Sequence, residues 1–387
     1  MLALTFTVAV LVAAAVFYTG WDLLGARGIK PEPRIDSKTL FDLVKLSFGV
    51  IAGSGALVAL VVAYRRQQID EDGALREATR LHTERFATAV GQIGHDSAAV
   101  RLGGVHALAG LADDAPTRDL RQTCIDVLCA YLRLPYTAET DLPAGDAEAR
   151  RNYLAMREVQ HTVIRLIRDR LRQPFDHKHS WQGHDFDFTG AAFDGGNFVG
   201  AVFSGGSVSF ASARLSGRVS FNGARFSGGN VDFSSAQIDG TVSFDNAKFS
   251  SSSVSFDRTE FLQGCDVWLA PAQYSGGSLI FTGTRFSGGT VTFRSSRFDG
   301  SSLHFVGVEF SGGTLDFLNA EFSSGSVIFD RTEFSSDAVS FSGANFAGST
   351  VDLRRASGAA PSGLVPLNGA PLPTGVLLPS EWHPAAS

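Results

Sequence analysis

The hydrophobic positions of this chain follow a short fixed period over its C-terminal half. From Val208 onwards, a phrase with a period near twelve, V-x-F-x-x-(small)-x-F-S-G-G-x, recurs to the end of the folded region. The leading residues of the phrase are Val208, Val219, Val231, Val242, Val254, Val267, Leu279, Val291, Leu303, Leu315, Val327, Val339 and Val351. The hexapeptide Phe-Asp-Arg-Thr-Glu-Phe occurs twice, at 256–261 and 329–334. Such a period is the signature of a solenoid.

The spacing within the phrase indicates which kind of solenoid forms. Between Phe188 and Phe203 the aromatic residues step by five, whereas helices place neighbours three or four apart and strands alternate at two. We interpret a five-residue step as one side of a square coil, with its central large residue and the small residue before it pointing inward. Longer steps then add one or two residues, mostly Ser-Gly-Gly, at two of the four corners. Glycine suits these corners because it reaches positive φ without steric cost.

The number of inward positions predicts the size of the solenoid. From Phe188 to Leu353 there are 29 inward centres, which at four per turn gives about seven turns. With turns about 4.8 Å apart, the rod should be roughly 35 Å long. The alternative is a disordered Ser/Gly-rich tail, but the repeats contain 25 phenylalanines. Disordered segments are poor in aromatic residues, so the solenoid is favoured.

These repeats resemble the pentapeptide-repeat family, whose phrase is A-(N/D)-(L/F)-x-x. Ala344-Asn345-Phe346 fits that phrase well, and Ala224-Arg225-Phe226 and Ala320-Glu321-Phe322 are similar. The resemblance implies a right-handed quadrilateral β-helix over residues 184–356. The regular two-residue insertion departs from the family's phrase and leaves the corner geometry open. The whole chain is also similar to long bacterial membrane proteins with two spans, a helical segment and such repeats, for which no activity is established.

The N-terminal region contains two uncharged runs, at 2–19 and 46–64. About 18 apolar residues suffice to cross a bilayer, so the runs predict transmembrane helices at 1–20 and 45–64, joined by a loop at 21–44. Two alternatives remain. The first run could be a cleaved signal peptide, although no Lys or Arg precedes it, and both runs could be buried helices of a soluble protein.

The charges that flank the two runs are nearly balanced. The loop carries Arg27, Lys30, Arg34 and Lys38, and the segment after the second run carries Arg65, Arg66, Arg76, Arg80 and Arg85. Three cysteines without a disulfide framework favour a reducing compartment, and an arginine cluster at 150–172 favours an anionic cytoplasmic leaflet. We therefore predict a multi-pass protein of the bacterial cell membrane, with the lipid bilayer as a partner and its soluble domains in the cytoplasm.

Residues 65–175 change to helical periodicity and are predicted to form an adaptor domain. Apolar residues with three/four spacing, from Leu75 to Ile93, indicate an amphipathic helix. A hairpin that resembles HEAT or armadillo repeats follows, with Asp96 or Ser97 as its N-cap. Its second helix is expected from about 120 to 132, and a third long helix follows over 148–171.

The tail, residues 357–387, is predicted to be irregular. From Pro361 to the end of the chain it holds six prolines. Proline cannot donate to a ladder of backbone hydrogen bonds, so the tail is expected to lie along the last coil or to be disordered.

One group of metal-ligand residue types precedes the repeats. It consists of Asp176, His177, His179, His184 and Asp185. Histidine and carboxylate side chains can bind a divalent metal. A solvated hinge that caps the first coil is the commoner explanation, so we predict no metal-binding residue here.

The three cysteines are interpreted as packing residues. Cys124 and Cys129 lie five apart on a predicted helix, which separates them by about 140° around its axis. This angle disfavours a shared metal and favours burial. Cys265 falls in the one irregular repeat, beside Trp268.

The repeats show no catalytic signature. Their outward positions are Ser, Thr, Asn, Asp and Arg, without a nucleophile–base pair and an orienting third group. The Ser-Gly-Gly phrases lack the lysine of a phosphate-binding loop and the pattern of calcium-binding nonapeptides. We therefore predict no enzyme, no catalytic or cofactor-binding residue and no cofactor.

Two functions remain for such a rod. The first is a non-catalytic, membrane-anchored scaffold that presents the β-helix to protein partners. The second is implied by family members that mimic duplex DNA and block a topoisomerase. Between Asp185 and Asp352, 17 acidic residues face 9 basic ones, an excess of 17 − 9 = 8. A DNA-like rod of about 35 Å would need roughly 20 net charges. We therefore predict protein partners and no nucleic acid, and the oligomeric state is left open.

Overall fold

A helical N-terminal region precedes a β-solenoid in the computed structural model of the chain. The described residues are 14–15, 17–19, 21–22, 36–137, 139, 142–364 and 372–383. The chain divides into two compact units, residues 1–80 and 81–387. Helix α1, Ser37–Ile93, contributes its first part to one unit and its last turns to the other.

The predicted membrane spans require a correction. Across the described residues, no helix combines the length and the apolar character needed to cross a bilayer. This contradicts the transmembrane helix at 45–64 and the multi-pass membrane localisation. The lipid bilayer as a partner stays a prediction. The prediction relied on the absence of charge, which does not by itself establish that a run crosses a bilayer. The first predicted span, 1–20, and much of the loop 21–44 lie outside the described residues.

Three further helices follow α1 in the second unit: α2 at Ala98–Asp113, α3 at Arg118–Leu132 and α4 at Ala147–Leu171. Two of them begin at side-chain caps. The Thr117 hydroxyl accepts the Leu120 N–H at 3.3 Å. The Asp146 carboxylate accepts the N–H groups of Glu148 and Ala149 at 3.0 and 2.9 Å. Ser97 is the N-cap residue of α2 by position, without a side-chain cap bond. The likeness to a HEAT hairpin stays a prediction.

The solenoid consists of short parallel strands arranged on four faces. Strands on the first face are Phe186–Asp187, Val208–Ser209, Asn230–Asp232, Ser253–Ser255, Ser278–Ile280, Ser301–Val306, Gly325–Phe334, Ser349–Gly358 and Val376–Leu377. Strands on the second face are Gln237–Ile238, Glu260–Phe261, Arg285–Phe286 and Glu309–Phe310. Strands on the third face are Thr241–Ser243, Asp266–Trp268, Thr290–Thr292, Thr314–Asp316 and Val339–Ser340.

Two longer strands, Ala192–Asn197 and Arg214–Ser220, run from the second face to the third. The fourth face is a separate sheet of six strands. Its strands are Val202–Ser204, Arg225–Ser227, Lys248–Ser250, Gln273–Ser275, Arg297–Asp299 and Glu321–Phe322.

Strand register fixes the length of one turn and the number of turns. The first-face column runs through Phe186, Val208, Val231, Val254, Leu279, Leu303, Val327, Val351 and Val376. Successive members from Val208 to Val351 skip one leading residue of the repeated phrase, so two phrases make one turn. Nine members are separated by 9 − 1 = 8 intervals, or about eight turns. This is one turn more than predicted, because the tail adds the last member.

Stacked aromatic rings fill the interior of the coils. On the first face, the ring centroids of Phe210 and Phe233 are 4.9 Å apart, and those of Phe305 and Phe329 are 4.6 Å apart. These distances match the spacing of hydrogen-bonded strands, so each ring lies directly over its counterpart. Where threonine takes the small inward position, its hydroxyl is paired: the hydroxyl of Thr259 donates to the Phe233 carbonyl of the preceding coil at 2.7 Å.

The extra residues lie at two of the four corners, as predicted. Five residues separate Phe210 from Leu215 on the next face, whereas seven separate Phe226 from Phe233 across a Ser-Gly-Gly corner. The second glycine of that corner is Gly229. Glycine is required there because the coils pack closely, and not because of its backbone angle. A Cβ atom there would overlap the Gly206 carbonyl of the preceding coil.

Part of the C-terminal tail extends the first-face ladder, which the sequence analysis did not predict. Val376–Leu377 pairs in parallel with Val351 and Asp352. Further on, the buried Trp382 ring packs 5.8 Å from the Phe334 ring, and its indole N–H donates to the Gly358 carbonyl at 3.0 Å. The tail therefore covers the end of the aromatic stack.

Candidate functional site

The histidine–aspartate group before the repeats belongs to the junction between the helices and the first coil. Gln122 of α3 accepts the Nδ1–H of His184 and the backbone N–H of Asp185, both at 3.0 Å. The Asp185 carboxylate accepts the Ser207 backbone N–H at 2.7 Å. Burial, together with the nearby Arg118 and Arg121, lowers the pKa of His184 to about 4. A neutral, hydrogen-bonded His184 therefore holds α3 against the coil.

The remaining members of that group lie on the surface of the same junction. The Nδ1 atom of His177 accepts the His179 backbone N–H at 3.2 Å, and the two rings meet edge to face at 5.4 Å. Asp176 is exposed. Within the described part of the chain, no three His, Cys, Asp or Glu side chains are grouped to hold a metal ion.

All three cysteines are free and buried. The Cys124 sulfur lies 3.7 Å from Nε2 of the buried His82, and burial raises the pKa of the Cys124 thiol to about 12. Burial also raises the pKa of the Cys129 thiol, and it raises that of Cys265 to about 12. A reactive thiol needs a lowered pKa, so these side chains are packing residues.

A second polar cluster joins α4 to the first coil and was not found in the sequence. The Asp194 carboxylate accepts hydrogen bonds from the hydroxyls of Tyr153 and, at 3.2 Å, Tyr136. Arg157 places its Nε atom 3.4 Å from the same carboxylate, and the ring of His161 donates to the Asp194 carbonyl at 3.0 Å. Burial, followed by the hydrogen bond to Asp194, raises the pKa of Tyr153 to about 12. Two protonated tyrosines that donate to one carboxylate form a structural clamp between the helices and the first coil.

Several charged side chains on the lateral faces are paired with opposite charges in neighbouring coils. On the second face, the Arg285 guanidinium lies 3.5 Å from the Glu260 carboxylate in the coil before and 2.9 Å from that of Glu309 in the coil after. On the third face, Arg294 and Asp316 are 3.1 Å apart. Opposite charges at facing positions stabilise neighbouring strands modestly.

The fourth face carries a groove formed by two adjoining cavities. The first cavity, of about 470 Å³, is lined by Phe175, Gln182 and Arg225 with nearby serines, and it extends to Lys248. The second, of about 430 Å³, also borders Lys248 and continues past Gln273 and Arg297. We call these two cavities the fourth-face groove. Because it crosses successive coils, the groove offers an elongated surface rather than an enclosed pocket.

The first cavity of this groove contains two cations in neighbouring coils. Arg225 and Lys248 occupy the same outward position in successive coils, paired in parallel register. Both are exposed, and neither side chain makes an ion pair or hydrogen bond among the described residues. We call this pair the basic end of the groove. Further along, Arg297 is paired with Glu321 at 2.9 Å.

The sequence contained a signal for the basic end. Ala224-Arg225-Phe226 and Ala247-Lys248-Phe249 are the same phrase, and strand register places them one turn apart. Two like charges at that separation must face each other on one side of the coil. The position of Phe175 in the groove, by contrast, depends on how the segment after α4 folds back towards the β-helix. The periodicity of the sequence does not predict that fold.

The comparisons with known proteins agree with the coil geometry. Residues 188–237 match the family described as pentapeptide repeats (9 copies). No curated protein and no solved structure matches the chain. The matched segment covers the first two turns, and the later turns stack on them in the same register. The match and the β-solenoid, with its five-residue sides and four-sided turns, together support a pentapeptide-repeat protein.

Proposed function

We propose that this chain is a non-catalytic interaction protein that uses the fourth face of its β-helix to bind protein partners. A pentapeptide-repeat solenoid is typical of repeat proteins that act through their surface rather than through catalysis. The observation that carries the proposal is the fourth-face groove, whose two cavities of about 470 and 430 Å³ adjoin at Lys248.

The arrangement of the faces supports a docking surface on the fourth face. Its six strands form a sheet separate from the sheet of the other three faces, and its exposed Lys248 and Gln273 line the groove. The rings beneath it are stacked and buried, so the backbone that presents these side chains is rigid. A preformed surface loses little conformational entropy on binding, which favours affinity.

The DNA-mimic alternative receives less support from the same surfaces. Mimicry needs acidic side chains free to project negative charge, whereas several are neutralised locally. Glu260 and Glu309 are both paired with Arg285, and Asp330 lies within 3.2 Å of Arg331 and 3.0 Å of Arg355. These pairs leave fewer acidic side chains free to imitate phosphates, and the net excess of eight is less than half of what duplex DNA requires.

Site-specific photo-crosslinking in cells tests the proposed face. A benzophenone side chain would replace exposed Ser250 or Gln273 on the fourth face, with Thr290 of the third face as the matched control. We expect the same protein adducts from Ser250 and Gln273 and their absence from Thr290. Equal adducts from all three positions, or adducts from Thr290 alone, would show that the fourth face is not the docking surface.

A further inference from the structure

We propose that the basic end of the fourth-face groove recognises an extended acidic segment of a partner protein, in which an aromatic or aliphatic residue accompanies at least two carboxylates. This inference rests on the proposed function and specifies the chemistry of the partner. It comes from the charge of Arg225 and Lys248, from the donors around them and from the exposed ring of Phe175.

The like-charged pair is unfavourable for the isolated chain. Arg225 and Lys248 face each other in register on neighbouring strands, and like charges at such positions destabilise a sheet. Further along the same face the charges are opposite, as in the pair of Arg297 with Glu321. One other like-charged pair, Glu309 and Glu333, lies in register on the second face. An anionic ligand would remove the repulsion and add two charge-assisted hydrogen bonds.

Apart from the two cations, the side chains that line the first cavity are uncharged, and some of them carry hydroxyl groups. The hydroxyls of Ser227 and Ser250 lie in the same cavity as the two cations. Gln182 is held in place because its side-chain amide donates to the Gln173 carbonyl at 2.6 Å. No acidic side chain lines the first cavity, so its charge is complementary to carboxylates.

The spacing of the cations suits an extended peptide. Neighbouring coils are about 4.8 Å apart, and alternate residues of an extended chain lie about 6.6 Å apart. The long side chains of Arg225 and Lys248 can cover that difference, so two carboxylates at positions i and i+2 can each meet one cation. Phe175 is 70% exposed and lines the same cavity. It would pack against an apolar side chain of the segment.

Fluorescence anisotropy with the full-length chain tests this assignment. The probe is a fluorescein-labelled dodecapeptide in which Asp and Glu alternate with small residues around a central Phe. Its counterpart carries Asn and Gln instead. We expect the acidic peptide to bind and the neutral peptide to bind at least tenfold more weakly. The affinity of the acidic peptide should fall as salt is added.

Variants then locate the binding surface. Arg225→Gln and Lys248→Gln should each weaken binding roughly fivefold, and Phe175→Ala should weaken it without changing the salt dependence. Arg218→Gln, an exposed arginine on the third face, is the matched control and should leave binding unchanged. Circular dichroism of each variant checks that it is folded.

Several outcomes would overturn the inference. Equal binding of both peptides, no binding of the acidic peptide, or equal effects of Arg225→Gln and Arg218→Gln would each do so. Preferential binding of a labelled single-stranded oligonucleotide would contradict it as well, because that result would assign the cations to phosphates. If crosslinks from Ser250 and Gln273 still identify a partner in these cases, the proposed function stands and only the acidic chemistry is wrong.

Discussion

The stacked rings should control the stability of the β-helix, and Phe293 provides the clearest test. Its side chain is fully buried on the third face. Its ring lies 4.9 Å from Phe317 in the next coil and 5.8 Å from Phe298 on the neighbouring face. Phe293→Ala would leave a cavity in a core that cannot collapse, because the coils above and below are fixed by backbone hydrogen bonds.

The size of the effect follows from these contacts. Truncation of a buried phenylalanine to alanine costs about 3–5 kcal/mol, and aromatic pairs contribute about 0.5–1.5 kcal/mol beyond area burial. The Phe293 ring also contacts Tyr274 and Phe281, at 6.0 and 6.3 Å. We therefore expect Phe293→Ala to lower the free energy of unfolding by about 4–5 kcal/mol. Phe293→Asp should do more, because it buries an unpaired charge.

The neighbouring residue supplies the control. Thr292 points outward, and its hydroxyl accepts the Arg294 backbone N–H at 3.2 Å, so Thr292→Ala should cost only about 0.5–1 kcal/mol. Urea unfolding followed by circular dichroism gives the stability of each variant. Hydrogen exchange of peptides from 266–298 shows whether protection is lost around the altered coil. Equal unfolding midpoints for the two variants would refute the inward assignment of Phe293.

Two further changes test the junction and the corners. Burial lowers the pKa of His184 to about 4, whereas a histidine in the unfolded chain binds its proton near pH 6.5. The stability that neutral His184 contributes is therefore present above pH 6.5 and is lost as the pH falls towards 4. Between pH 7 and 4.5 the unfolding free energy, measured by urea unfolding, should therefore decline by about 1–3 kcal/mol less in His184→Gln than in the unaltered chain. His106→Gln, at an exposed histidine, is the control. An identical decline in the two variants would contradict the prediction. Gly229→Ala should lower the unfolding free energy by about 1–3 kcal/mol, because its methyl group meets the Gly206 carbonyl. Gly110 has open space around it in α2, so Gly110→Ala should instead raise the unfolding free energy by up to about 1 kcal/mol. Equal changes in unfolding free energy for Gly229→Ala and Gly110→Ala would contradict the corner assignment.

The architecture of the repeats could be predicted because each five-residue side carries its own signal. An inward residue such as Phe226 must be large and the residue two before it small, whatever the neighbouring coil contains. The two-residue insertions also occur in the sequence as Ser-Gly-Gly. Once both are known, the register follows, and with it the facing positions of Arg225 and Lys248.

Features that depend on distant contacts could not be predicted in this way. The Asp194 carboxylate meets Tyr153 and Tyr136, which lie 41 and 58 residues away in sequence. Strand Val376–Leu377 has only two residues, and it is defined by its pairing with Val351 and Asp352 rather than by a pattern of its own. The predicted span at 45–64 failed for another reason, since the absence of charge does not by itself make a helix able to cross a bilayer.

Lysine footprinting is the most direct test of the fourth face as the docking surface. Lys248 is the one lysine in the sequence between residues 184 and 356, so its acetylation reports on the groove alone. The full-length chain is labelled with and without the partner identified by crosslinking, or with the acidic peptide. Exposed Lys45 serves as the internal reference. We predict that the ligand slows the acetylation of Lys248 at least fivefold and leaves that of Lys45 unchanged. Unchanged acetylation of Lys248 under saturating ligand would contradict the account.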